Sequence, residues 1–437
     1  MNNLRLILRS LRHRNYRLFF CGQAVSMIGT WIQQLAMSWL VFRLTGSALL
    51  LGVVGFADKI PAFFITPFAG IFLDRFNLRR VVLLTQTLLL LQALVLAGLT
   101  AAGLIQVWHI IVLSVCLGTI NAFDIPARQS FVVRIIDEKS DLGNAIALNS
   151  SLFNGARLVG PSLGGILLAY TSEASCFFVN AASYLAAILA LAAMRFTNSQ
   201  DRRPEEPFLE AFKEGLSYTF GFPPVRAILL FLGLLSLFGI PITVLLPVFA
   251  TKNLGGGPHT LGFLMGAIGA GALIGAIYLA SRKSILGLGR LIVFSSGLFA
   301  LGVISFSFSH TVWISVALLV VAGFGMMVHM ASSNTILQTV VDDRMRGRVM
   351  SFYVVSITGT TPIGSLLAGA MASRIGAQAT VISGGLVCLI GSAVFAFKLP
   401  MIRSLVRPIY EKMGIVPQAE AVQAGIRASS GLESLEG

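Results

Sequence analysis

The sequence predicts an all-α polytopic membrane protein with twelve transmembrane helices, six on either side of a long polar linker. Three observations carry that prediction. The 437-residue chain is 56 % hydrophobic and only 11 % charged, where a soluble domain carries about 25 % charged residues, and its mean hydropathy is +0.84. Twelve apolar runs reach the roughly 20 residues with which a helix crosses a ~30 Å hydrocarbon core. The runs lack strand alternation and are too long for barrel strands.

In order along the chain, residues 1–16 form a basic amphipathic arm. Its stretch LRLILRSLRHRNYR (4–17) is suited to lie along anionic headgroups. Spans at 17–42, 48–73, 80–102, 107–131, 143–169 and 175–194 make an N-terminal bundle over 17–194. Residues 195–224 are a linker in which 208–218 can form a short surface helix. Six further spans, 225–249, 261–281, 290–308, 312–340, 349–373 and 377–397, make a C-terminal bundle over 225–397, and 398–437 is a tail disordered at its end.

Of the 32 Lys and Arg residues, 27 fall in the arm, the even-numbered loops and the tail, so the positive-inside rule places both termini in the cytosol. The same asymmetry accounts for the net charge of +14 without nucleic acid. The charged N-terminus followed by a full-length span predicts no cleavable signal. Cys21, Cys116, Cys176 and Cys388 are scattered without metal-ligand spacing, so neither a disulfide framework, a metal nor a cofactor is expected.

The halves repeat. ARQSFVVRIID (127–137) parallels SNTILQTVVDD (333–343), and LVGPSLGG (158–165) parallels GTTPIGSL (359–366), as a parallel duplication predicts. Polar or small residues step by three and four along every third span. Span 1 carries Gln23, Ser26, Thr30, Gln33 and Met37, and span 4 carries Ser114, Gly118, Asn121 and Asp124. Span 7 carries Gly233, Ser236, Ile240 and Thr243 with Pro241 breaking it, and span 10 carries Gly325, His329, Ser332 and Ser333. Each stripe marks one helix face. It faces either a neighbouring helix, as hydrogen-bond glue, or a hydrated path; the regular recurrence favours a common central path.

Two motifs carry a family resemblance. GIFLDRFNLRR (70–80) resembles the loop 2–3 signature of the major facilitator superfamily, G-x-L-x-D-R-x-G-R-R/K-R/K, matching at Gly70, Asp74, Arg75, Arg79 and Arg80. Asn77 replaces a glycine where a positive φ is expected, and asparagine tolerates that region next best. NGARLVGPSLGG (154–165) is similar to the antiporters' Gly-Pro-x-x-Gly-Gly motif at Gly160, Pro161, Gly164 and Gly165. Its GPSLG also fits the nucleophile pattern G-x-S-x-G, but no strand precedes Ser162 and packing is the better account. Stretches 14–47, 122–132 and 343–351 resemble the bacterial exporter branch that includes the enterobactin exporter and macrolide-efflux proteins, over roughly residues 12 to 400.

The resemblance implies the two-bundle major facilitator fold, alternating access, and a cytosolic gate. In that gate Asp74 meets the N-terminus of span 11, expected near Gly347, with Arg128, Arg346 and Arg348 completing the latch. Asp124 and Arg128 are spaced for a local pair, although Pro126 disturbs regular geometry. Proton-coupling or substrate candidates are Asp58, Arg157, Gln33, Gln34, Thr30, Asn121 and His329. Asp58 lies within GFADKIPAFF (55–64), past the bilayer centre, and as its sequence neighbour Lys59 is a poor direct partner. It reads either as a protonatable or substrate-facing group or as half of a structural ion pair. Arg157, at similar depth, is expected to be held by Gln33 and Gln34.

The expected function is proton-coupled antiport of small, partly apolar organic molecules, of drug or siderophore class, out through a bacterial inner membrane, by a monomer. An uptake carrier or lysophospholipid flippase is the alternative. A receptor or membrane enzyme is remote, since no HExxH, Walker sequence or paired intramembrane carboxylates are present.

Overall fold

The computed structural model describes residues 9–136, 138–195, 208–282 and 284–415. Twelve of its helices are long and apolar enough to cross a membrane. Spans 1 to 6 are Arg14–Thr45, Ala48–Arg75, Leu78–Ala101, Val107–Ile135, Lys139–Tyr170 and Glu173–Ala192. A linker helix, Phe208–Gly221, leads to span 7, which is built of Pro223–Phe238, Ile242–Val248 and a π turn Phe249–Asn253. Spans 8 to 10 are Pro258–Ala280, Leu288–Ser307 and Val312–Val340. Span 11 joins Asp343–Thr358 to Thr360–Ile375, and span 12 is Ala377–Lys412. An even number of crossings puts both ends of the described chain on one face, here the terminal face; the opposite one is the far face.

Local chemistry sets the breaks. Gly46 ends span 1 in the left-handed region at φ 62°, and the Ser47 side chain then caps span 2 by accepting from the Leu50 amide. Pro241 interrupts span 7 as expected. Pro362 has no N–H to give residue 358 and its ring crowds that carbonyl, so span 11 breaks at Gly359. Asn77 differs from its expectation: its φ is −68°, and it is an N-cap whose side chain accepts from the Arg80 amide at 3.3 Å. The position needs a capping oxygen, not a positive φ. Span 11 begins at Asp343, before the expected Gly347, and span 12 runs on through Pro400 and Pro408 to Lys412.

Packing repeats with a step of six spans. Span 1 packs on 5 and 6, 2 on 4, and 3 on 4 and 6; correspondingly 7 packs on 11 and 12, 8 on 10, and 9 on 10 and 12. The halves meet along two equivalent seams, span 5 against 8 and span 2 against 11. Each seam closes on a glycine pair near the far face. A Cβ on Gly165 would lie 2.9 Å from the Gly262 Cα, and one on Gly52 would lie 2.9 Å from the Gly369 Cα. Backbones touch there because neither residue has a side chain.

Candidate functional site

Span 4 carries Asp124 into the interior of the first half, where its side chain is fully buried. Its carboxylate accepts from Thr85 Oγ1 at 2.6 Å and Gln86 Nε2 at 3.0 Å on span 3, and pairs with Arg128 Nε at 2.6 Å. Arg128 also donates to Gln23 Oε1 of span 1 at 2.6 Å. The helix stays continuous through Pro126, so the i, i+4 pair forms regularly. A buried carboxylate is tolerated when paired and hydrogen-bonded; here Oδ1 takes both hydrogen bonds and Oδ2 has the ion pair with Arg128 alone.

The same inward direction corrects the reading of the stripes. Gln33 donates to Gln92 of span 3 at 3.1 Å and accepts from Asn180 of span 6 at 2.8 Å. Thr30 lies 3.2 Å from the Tyr184 hydroxyl of span 6, and Ser114 donates to Met37 Sδ at 3.7 Å. Ser236 donates to the Ile357 carbonyl of span 11 at 2.5 Å, and Gly325 backs onto Ser295 of span 9. These contacts bond helices within each half; they do not form a common central path. The physical reason is that a buried polar group in an apolar bundle takes the nearest partner. The partners on spans 3 and 6 were missed because those spans show no stripe, although Gln86, Gln92 and Asn180 are polar residues in otherwise apolar runs.

His329 is 1 % exposed and lies edge-on to Phe231 with ring centroids 4.9 Å apart. Neither ring nitrogen makes a hydrogen bond of ordinary geometry, nor do the hydroxyls of Ser332 and Ser333. With Leu235, Phe299, Met326 and Ile357 the ring lines a small enclosed cavity. Gln34 and Asn121 are half-buried.

Asp58 and Lys59 form a pair after all, Oδ2 to Nζ 2.6 Å, with side-chain exposures of 12 % and 46 %. Adjacent residues diverge on a helix, but the four-carbon lysine stem folds back far enough to close the gap. The Asp58 carbonyl backs onto Gly118 of span 4. Arg157 is not held by the span 1 glutamines: Gln33 is committed elsewhere, and the guanidinium instead lies over the Trp31 ring, 5.8 Å from its centroid.

On the terminal face the side-chain placements of Gly70, Asp74 and Arg75 lie outside the described residues. Arg79 donates to the carbonyls of Leu191 and Ala192 at 3.0 and 3.1 Å, tying loop 2–3 to the end of span 6, and Arg80 is exposed. The basic residues expected in the latch each have an acidic partner, Arg128 in Asp124 among them. Arg346 pairs with Asp343, and Arg348 and Arg344 pair with Glu214 of the linker helix. The Arg348 guanidinium, hydrogen-bonded to the Glu214 carboxyl and helped by the charge of Arg344, holds that carboxyl below its ordinary value of 4.5.

The arm, where described, packs onto the start of span 5. Arg9, Arg12 and His13 surround Asp141 at 3.1, 3.0 and 3.0 Å, and Ser10 Oγ donates to Asn144 Oδ1 at 2.8 Å.

The Gly-Pro motif is a packing device. Gly160 faces Trp31 and Gly164 faces Ile32 of span 1, while Gly165 faces span 8. Ser162 spends its hydroxyl on the Leu158 carbonyl at 3.0 Å.

The sequence profile of the transmembrane secretion effectors matches residues 7–422. The chain belongs to the transmembrane secretion effector family. This secretion effector is a multi-pass member of the exporter branch of the major facilitator superfamily, whose members are transporters. It is 25 % identical to the staphyloferrin A transporter of Staphylococcus aureus, over 87 % of this chain and 95 % of that one. It is 27 % identical to the multidrug efflux pump Tap of Mycolicibacterium fortuitum, over 86 % and 93 %. Macrolide efflux protein A of Streptococcus pyogenes is 23 % identical over 90 % and 98 %. In fold it is similar to a bacterial homologue of the human lysosomal transporter Spinster, with a TM-score of 0.69 at 13 % identity, covering 90 % of this chain and 98 % of that one.

Proposed function

We propose that this secretion effector exports small, partly apolar organic molecules of drug or siderophore class from a bacterial cytosol by proton-coupled alternating access. The terminal face is then cytosolic, in keeping with the basic loops it carries. The pair of equivalent seams supports the mechanism best. Two internally bonded halves touch along seams of glycine contacts, close backbone packing of a kind that can part. The names of the efflux relatives support the direction and the substrate class.

Asp58 is the proton site in this reading. Asp124 has three partners, whereas Asp58 has one ion partner, and that partner is nearly half exposed. A proton arriving at Asp58 displaces Lys59, which swings toward water.

Purified protein in liposomes, loaded with erythromycin or ethidium and given an imposed pH gradient, tests both levels. Expected are substrate movement against its gradient that stops when a K⁺/H⁺-exchanging ionophore collapses the pH difference, and an Asp58→Asn variant that moves substrate only downhill. Gradient-independent flux in the wild type overturns the coupling, and an Asp58→Asn variant that still pumps uphill overturns the assignment of the residue.

A further inference from the structure

Among the described residues deep in the spans, one cation lacks an acidic partner. Asp58 is matched by Lys59 and Asp124 by Arg128, each at 2.6 Å, and near the far face Glu173 is matched by Arg43 at 2.6 Å. The Arg157 side chain makes neither a hydrogen bond nor an ion pair among the described residues; its guanidinium lies over the face of Trp31. By helix rise it sits about 20 Å from the Tyr170 end of span 5 and about 27 Å from its start, too deep to reach either surface. A guanidinium does not shed its proton to escape such a place.

We propose that Arg157 and Trp31 are a binding subsite for an anionic group of the transported molecule, a carboxylate above all. The proposal deepens the export reading and rests on it for the word transported. Three features build the subsite. The planar fork of arginine donates two parallel hydrogen bonds to a carboxylate, and Arg157 is only half-buried. The indole beneath holds the fork flat through its π face, and Phe153 meets the indole edge-on at 6.2 Å, so an aromatic wall adjoins the charge. Finally, span 8 comes in against the backbone here: a Cβ on Gly269 would lie 2.6 Å from the Arg157 carbonyl oxygen. The cation therefore stands where spans 1, 5 and 8 converge at the boundary of the two halves, the boundary along which a substrate passes in alternating access. The ligand class that fits is an amphipathic anion, its carboxylate on Arg157 and its apolar body against Trp31 and Phe153.

Fluorescein and rhodamine 6G share a xanthene body, but the first carries a free carboxylate, whereas the second has that carboxyl esterified and bears alkylamino groups that make it cationic. Equilibrium binding of each to the full chain in phosphatidylcholine nanodiscs, followed by anisotropy with no ion gradient, tests the subsite. Fluorescein is expected to bind, to bind at least tenfold more weakly in Arg157→Gln, and to lose less in Arg157→Lys, which keeps the charge without the fork. Rhodamine 6G is expected to bind more tightly in Arg157→Gln, because a repelling charge is gone. Fluorescein binding that ignores Arg157→Gln, equal weakening of both dyes, or no fluorescein binding to the wild type overturns the proposal. Because no gradient is present, arginine-dependent binding that survives while uphill flux fails sinks the export reading alone, and the reverse result sinks this subsite alone.

Discussion

At Asp124 the cost of an error is large, because the side chain is fully buried and Arg128 depends on it for neutralisation. Breaking a buried pair from one side costs about 3–5 kcal/mol, since the remaining charge is stranded. Asp124→Ala is therefore expected to lower the thermal midpoint of the purified protein sharply, while Asp124→Leu combined with Arg128→Met recovers most of the loss; a single variant as stable as wild type shows that the pair is not structural. The pair itself is legible in the sequence from its spacing of four. Its partners Thr85 and Gln86 are not, because nothing in a one-dimensional pattern fixes how span 3 is rotated against span 4. Asp58 shows the converse failure. Helical geometry separates it from Lys59, and only the reach of the lysine stem reunites them.

Among the elements, the glycines of the seams and the linker helix make separable predictions. A Cβ on Gly262 would lie 2.6 Å from the Pro161 carbonyl oxygen and 2.9 Å from the Gly165 Cα, both backbone atoms that cannot move aside cheaply. Gly262→Leu is expected to insert at normal levels yet lose at least tenfold in flux, read in the same liposomes; unimpaired flux removes the seam from the mechanism. The linker helix docks on span 11 through Glu214. Since that carboxyl is depressed below its ordinary 4.5, the docking is fully present above that value and is lost as pH falls through the lower, bound-state value. Amide exchange protection across Phe208–Gly221 is thus expected to stay constant from about pH 8 to pH 5 and to drop at every pH in Glu214→Gln. Protection that declines between those limits contradicts the docking role. The number of spans and the break at Pro241 are legible from hydropathy and proline chemistry. The true start of span 11 is not, because Asp343 and its neighbours are polar enough to pass for loop.

Over the whole molecule, the offset similarity of 127–137 with 333–343 announces the duplication, and the packing repeats it helix for helix. What sequence periodicity does not carry is the direction in which a stripe looks. Gln33, Ser236 and Gly325 stand on the predicted faces, yet those faces point into their own half. A face is set by local spacing; its neighbour is set by the rotation of the helix within the assembled bundle, to which local spacing is blind.

The doubled glycine contact carries a mechanical corollary. Spans 2 and 5 belong to one block, spans 8 and 11 to the other, so near the far face the blocks are fastened at two points lying four to six residues from the helix ends. A lid pinned at two corners cannot be lifted at one corner without bending, and the hydrogen bonds within each block oppose that bend. Release is then a single cooperative event, and a spacer wedged into either fastening disables both.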